Sequence, residues 1–239
     1  MLRMLRPLPF ALALAALSIF AASCGSSSGG TKFRLVNAIP DSQPVDVLID
    51  GKTVETAVSF GGVTPSTGYA AVGSGSHKLE VRISGQTTDY FQGNVPFSGN
   101  STIVATGYVS NNTIAAPLFT DNSTAPTSNN AQLRIIQASP EGLGGNPAVD
   151  MYLVAPGDGL PGSGTPASIP NVTFNAASSY LTVPAGTYDL LLTPAGIQSL
   201  NIRIPNASFS SGKNYTYVLV DVSPNGGVMS GTPVVLNDN

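Results

Sequence analysis

From residue 33 onward, apolar and polar side chains alternate with a period of two through short segments that end in Gly, Pro, Asn or Asp. In "VDVLI", residues 45–49, Val45, Val47 and Ile49 share one face while Asp46 and Leu48 take the other, the mark of a strand with one side buried. Asp50-Gly51 then suits a tight hairpin turn into "KTVETAV". "GSGSHKLEV" (73–81) and "PAGTYDLLL" (184–192) read as turn-then-strand units. Abundant Val and Ile, with no long helix-forming run after the first residues, predict an all-β chain of short strands joined by turns.

The pattern occurs twice. "FRLVNAIPD" (33–41) matches "LRIIQASPE" (133–141) position by position: an apolar residue, Arg, two aliphatics, an amide, Ala, a variable residue, Pro and an acid. "PVDVLI" (44–49) then matches "AVDMYL" (148–153), and "GYAAVGSGSHKLEV" (68–81) matches "SYLTVPAGTYDLLL" (179–192). "PFSGNSTIVATGYV" (96–109) matches "SFSSGKNYTYVLVDV" (208–222). The second copy replaces the Asp50-Gly51 hairpin with the longer "APGDGLPGSGTP". We expect two tandem antiparallel, Ig-like β-sandwich domains over 33–119 and 132–239, each able to fold separately, joined by a polar linker over 120–131. A single β unit sharing an edge is the alternative reading.

Ahead of the repeats, "MLRMLRPLPF" carries Arg3 and Arg6 without an acid, and an apolar run from Phe10 to Phe20 follows. That is the charged and apolar part of a signal peptide over residues 1–23, too short for a permanent span of the ~30 Å hydrocarbon layer. Its end, Ala21-Ala22-Ser23-Cys24, resembles the bacterial lipobox, in which the cysteine is acylated and becomes the mature N-terminus. Cys24 is the single cysteine of the chain, so an intramolecular disulfide is ruled out. "GSSSGG" after it is a flexible tether, residues 24–32, that lets a folded body stand off a membrane. Gly25 in the next position resembles the signal for outer-membrane sorting in a Gram-negative cell. The expected location is therefore the cell envelope, with the lipid as the membrane partner; ordinary signal peptidase cleavage, leaving Cys24 free, is the other reading.

Composition narrows the partners. Removing residues 1–23 leaves eight basic residues against thirteen acids, a formal net charge of −5, which argues against nucleic acid as a partner. "VNAIPDSQPVDVLIDG" (36–51) and "IQASPEGLGGNPAVDMYL" (136–153) resemble the strand motif of bacterial exported proteins that carry tandem copies of the domain of unknown function 4397. The resemblance implies fold and export without implying an activity. The motif's histidine is replaced by Asn37 and Gln137, so no role of that histidine carries over.

Candidate chemistry is sparse. "GSSSG" (25–29) fits a hydrolase serine motif but lies in the tether, and "GDGLPG" (157–162) fits a phosphate-loop pattern but lacks a following helix. His77 is the lone histidine, and its counterpart is Tyr188. Asp41, Asp46 and Asp50 fall within ten residues without the spacing of a compact calcium loop, so no metal and no cofactor is assigned. Tyr69, Tyr90, Phe91 and Tyr152 are candidates for stacking on a glycan. Arg34 with Asp46, and Arg134 with Asp150, is the charged pair repeated in both copies, and each is expected to form a structural ion pair between neighbouring strands. These features point to a surface-tethered, non-enzymatic module for binding, adhesion or envelope structure, meeting an envelope protein or a glycan. An extracytoplasmic hydrolase with a site between the two domains is the alternative.

Overall fold

A computed structural model of the chain describes residues 30–221 and 229–239. All the regular elements among them are strands. The first copy contributes β1 (Lys32–Asn37), β2 (Val45–Ile49), β3 (Lys52–Val58), β4 (Val63–Thr64), β5 (Ala70–Ala71), β6 (Gly75–Ile83), β7 (Asp89–Phe97), β8 (Asn100–Ala105) and β9 (Leu118–Thr120). The second contributes β10 (Asn130–Gln137), β11 (Val149–Val154), β12 (Ile169–Val172), β13 (Leu181–Pro184), β14 (Gly186–Pro194), β15 (Ile202–Phe209), β16 (Asn214–Leu219) and β17 (Val234–Asn237).

Strand order repeats as the sequence does. The first copy pairs β4-β1-β8-β9 in one sheet, with β5 also on β1, and β3-β2-β6-β7 in the other. The second pairs β13-β10-β16-β17 and β12-β11-β14-β15. Pairing is antiparallel apart from one central pair per copy: β1 with β8 and β10 with β16 run parallel, because the chain crosses between sheets before returning beside its first strand.

Alternation along β1 decides the packing. Phe33 and Leu35 point into the first sandwich, where they meet Val45, Val47, Leu79 and Val81 of the facing sheet. Leu133 and Ile135 do the same in the second, against Met151, Leu190 and Leu192. The opposite faces of β1 and β10 are also buried. Val36, Ala38 and Val104 pack directly against Ile136, Ala138, Val218, Val220 and Leu236. The sheets built on β1 and β10 therefore stack on each other, and the molecule has four layers with three apolar cores. A sheet covered on both faces has no solvated side, which is why β1 (KFRLVN) and β10 (NAQLRIIQ) are buried almost throughout.

Candidate functional site

The middle layer contains two arginines. Arg34 and Arg134 alternate with core residues and so point between the sandwiches, sharing their faces with Val36 and Ile136; both side chains are 3% exposed. Each Nε donates to a threonine of the neighbouring parallel strand, Arg34 to Thr102 at 2.8 Å and Arg134 to Thr216 at 2.7 Å. Each Nη1 then crosses to the other copy: Arg34 reaches the Asn237 carbonyl at 2.8 Å and Arg134 the Thr120 carbonyl at 2.9 Å. Each Nη2 binds the carboxylate that ends the other copy, Arg34 to Asp238 and Arg134 to Asp121. Arg34 also contacts Asp121 at 3.3 Å.

Two threonines and two tyrosines extend the cluster in the same twofold manner. Thr102 donates to Asp121 and Thr216 to Asp238, each at 2.7 Å. Tyr69 donates to Asp121 at 2.7 Å and lies under the Arg34 guanidinium, 4.6 Å from its ring centre. Tyr180 donates to Asp238 at 2.6 Å and lies under Arg134 at 4.8 Å. Burial, followed by the Asp121 carboxylate, pushes the Tyr69 phenol far above the ordinary tyrosine range, and burial does the same at Tyr180, so both remain donors. Burial also raises the Asp121 carboxyl, against the pull of Arg134 and Arg34. Desolvation is the cost of this cluster, and two guanidiniums with satisfied hydrogen bonds offset it.

Asp46 and Asp150 are not part of it. The expected Arg34–Asp46 and Arg134–Asp150 pairs do not form, because β2 and β11 lie in the outer sheets and their aspartates face away from the middle layer. Asp46 instead accepts from the backbone N–H of Ala57 at 2.9 Å and of Gly85 at 3.0 Å. Asp150 accepts from Asn171 at 2.7 Å and Gly196 at 2.8 Å. Ala57 and Asn171 have φ of 55° and 50°, so each carboxylate holds an irregular edge strand and the turn beside it. Desolvation pushes the Asp46 carboxyl up, but the N–H groups of Gly85 and Ala57, Ser84 and Arg82 outweigh it and hold the group below its usual value.

The residues that replace these expected partners, Asp121 and Asp238, carry a signal in the sequence. "TDN" (120–122) and "NDN" (237–239) end the two copies, and Tyr69 and Tyr180 occupy matching positions. The aligned segments stop short of both Asp-Asn pairs, and residue 121 falls within the expected linker, so composition concealed it.

The other candidates are scattered. Asp41 caps the N–H groups of Val109 and Ser110, and Asp50 binds the His77 Nδ1 at 2.6 Å, so Asp41, Asp46 and Asp50 do not converge. No group of metal-ligating side chains occurs among the described residues. His77 and Asp50 border an open hollow of about 320 Å³ lined by Phe33, Ile49, Lys52, Val54 and Val72. The Asp50 hydrogen bond raises the His77 pKa above its ordinary value, against the opposing effect of desolvation. Of the aromatic candidates, Tyr69 stacks on Arg34, Tyr152 is 5% exposed, and Tyr90 and Phe91 pack on the first core. Asn37 and Gln137 are fully buried and fix the following loops through the N–H groups of Ile39 and Ser139. Cys24 lies outside the described residues.

The profile of a family described as Domain of unknown function (DUF4397) matches residues 31–152 of the 239, just over half of the chain. The chain belongs to the DUF4397 family. The match begins at β1, spans the whole first sandwich and ends in β11 of the second. A search of curated proteins finds no match. Among solved structures, the DUF4397 chain is similar to a family 26 carbohydrate-binding module, CBMbc of Amy13K from Eubacterium rectale in complex with maltoheptaose. That likeness has 13% identity and a TM-score of 0.27, covering 86% of this chain and 96% of the other. It is also similar to a candidate cell adhesion protein from Bacteroides fragilis at 10% identity and a TM-score of 0.20, covering 88% and 97%.

Proposed function

We propose that this DUF4397 protein is a lipid-tethered, non-enzymatic module of the bacterial envelope, presenting two rigidly joined sandwiches for adhesion or envelope structure. One observation carries the reading. The arginine, tyrosine and carboxylate side chains that both copies share are engaged in joining the sandwiches, where the arginines and carboxylates are buried, the tyrosines half-buried, and all are hydrogen-bonded within one cluster. Such a joint transmits position and force from one domain to the next. It stands behind a Cys-Gly-Ser segment with the composition of a flexible leash, which supports display at a distance from a membrane. The hollow beside His77 and Asp50 is lined without a serine, threonine or cysteine that could act as a nucleophile beside the imidazole. The partner class that fits display is an envelope protein or glycan outside the cell.

The test has two arms. Labelled palmitate should enter the full chain and be lost from Cys24→Ser; equal labelling of both overturns the anchor. Purified protein incubated with envelope glycans should retain some of them at unchanged mass, and release of shortened products would instead establish hydrolysis.

A further inference from the structure

The strands of the two sandwiches begin and end together. Arg34, near the start of β1, reaches the end of β17, and Tyr108, beyond β8, donates to Asp221 beyond β16. One end of the molecule therefore gathers the starts of β1, β3, β6, β8, β10, β14 and β16, and the chain enters the fold there.

Charge divides between the two ends. All four lysines downstream of Cys24 lie toward the entry end: Lys32 opens β1, Lys52 opens β3, Lys78 lies in the first half of β6 and Lys213 precedes β16. Lys32 and Lys52 are exposed, whereas Lys78 is 40% exposed and paired with Glu80 at 2.9 Å. Most carboxylates toward this end are paired, Asp121 and Asp238 with the two arginines, Asp189 with Arg203, Glu80 with Lys78 and Asp50 with the His77 ring, which leaves Asp158. Toward the opposite end stand Asp41, Asp46, Asp89, Glu141, Asp150 and Asp221, while Arg82 there is already bound to Asp89. Next to Lys52, the apolar hollow formed by Phe33, Ile49, Val54 and Val72 opens, with Val54 43% exposed.

We infer that the entry end is a membrane-facing surface whose lysines contact the headgroups of anionic phospholipids and hold the molecule upright, with its carboxylate-rich end outward. The inference rests on the acylation of Cys24. A six-residue linker of Gly and Ser composition reaches roughly 12–15 Å, comparable to the ~8–10 Å over which charges act at physiological salt. A body of net charge −5 is repelled by an anionic surface in most orientations. The lysine end alone reverses the sign, so the tether and the charge division select the same orientation.

Full-length acylated protein, reconstituted into vesicles of phosphatidylcholine alone or mixed with phosphatidylglycerol, tests this through flotation and amine-reactive footprinting. Each lysine near an anionic surface strengthens contact about fivefold, so Lys32 and Lys52 should react severalfold more slowly in phosphatidylglycerol vesicles, with protection lost at high salt. Lys32→Glu with Lys52→Glu should abolish the difference at Lys78 and Lys213. Flotation with both vesicle types and equal reactivity in both would overturn the membrane-facing surface while leaving the anchor intact. Salt-sensitive flotation with phosphatidylglycerol vesicles alone would keep the surface and overturn the anchor. Flotation with neither would overturn both.

Discussion

Arg134→Met leaves Asp121 buried among Tyr69, Thr102 and Arg34 with its nearest cation gone. Breaking a buried pair in this way costs about 3–5 kcal/mol, so denaturant unfolding should show a loss of that size. A double-mutant cycle separates the true partner from the one the sequence suggests. Arg134 with Asp121 should couple by about 0.5–3 kcal/mol, whereas Arg134 with Asp150 should be additive. At His77 the sign is that of a histidine whose folded pKa is raised. The contribution of its Asp50 contact is present below the ordinary value of about 6.5 and is lost as pH rises through the folded value. An NMR titration of the His77 ring should have its midpoint above 6.5 in the native protein, and Asp50→Asn should move it down; no movement would refute the pairing. Residue by residue, the chain disclosed its faces but not its partners. Alternation placed Arg34 with Val36 correctly, yet no periodicity says that the surface opposite β1 belongs to the other copy.

Elements in this fold are shaped as much by their interruptions as by their strands. Asp46 and Asp150 each hold a positive-φ residue on an edge strand and a glycine turn, so Asp46→Asn should speed amide exchange at Ala57 and Gly85 and leave the amides of β1 unchanged. Unchanged exchange at Ala57 would show that the edge is held by something else. Two glycines after β10 make a further contrast. Gly142 and Gly144 have φ of 60° and 61°, but a side chain at Gly142 would fall 2.0 Å from the Asn146 carbonyl oxygen, whereas Gly144 meets nothing closer than Asn201 at 3.8 Å. Gly144→Ala should cost about 1–2 kcal/mol from backbone strain alone, and Gly142→Ala clearly more, as a melting series can measure. Strand existence was legible from the period-two runs. The parallel pairing of β1 with β8 was not, since alternation carries no information about direction.

At the scale of the molecule, the connector between the copies is exposed from Ser123 to Ala125 and again from Thr127 to Asn129. On either side it is fastened, with Asn122 bonded to Gln132 and Asn214 bonded to the carbonyls of Asn122 and Thr124. Limited proteolysis should therefore cut within residues 123–129, and the two pieces should still elute together from a sizing column. Separation on cutting would mean that the shared apolar layer contributes little. The repeated segments were readable, and strand order repeats with them, but the stacking of the two sandwiches was not, because Val36, Val104, Ile136 and Val218 look from the sequence like ordinary strand residues. The exchange of arginines and carboxylates across the middle layer also bears on assembly. Each copy's arginine binds the aspartate of the other copy, which is the arrangement of an isologous dimer with its two halves joined by a linker. A single sandwich would need concentration to assemble in this way, whereas the short linker supplies an effective millimolar concentration. Residues 31–122 expressed alone should accordingly sediment as a dimer that dissociates on dilution, with Arg34 of each subunit bound to the Asp121 of its mate.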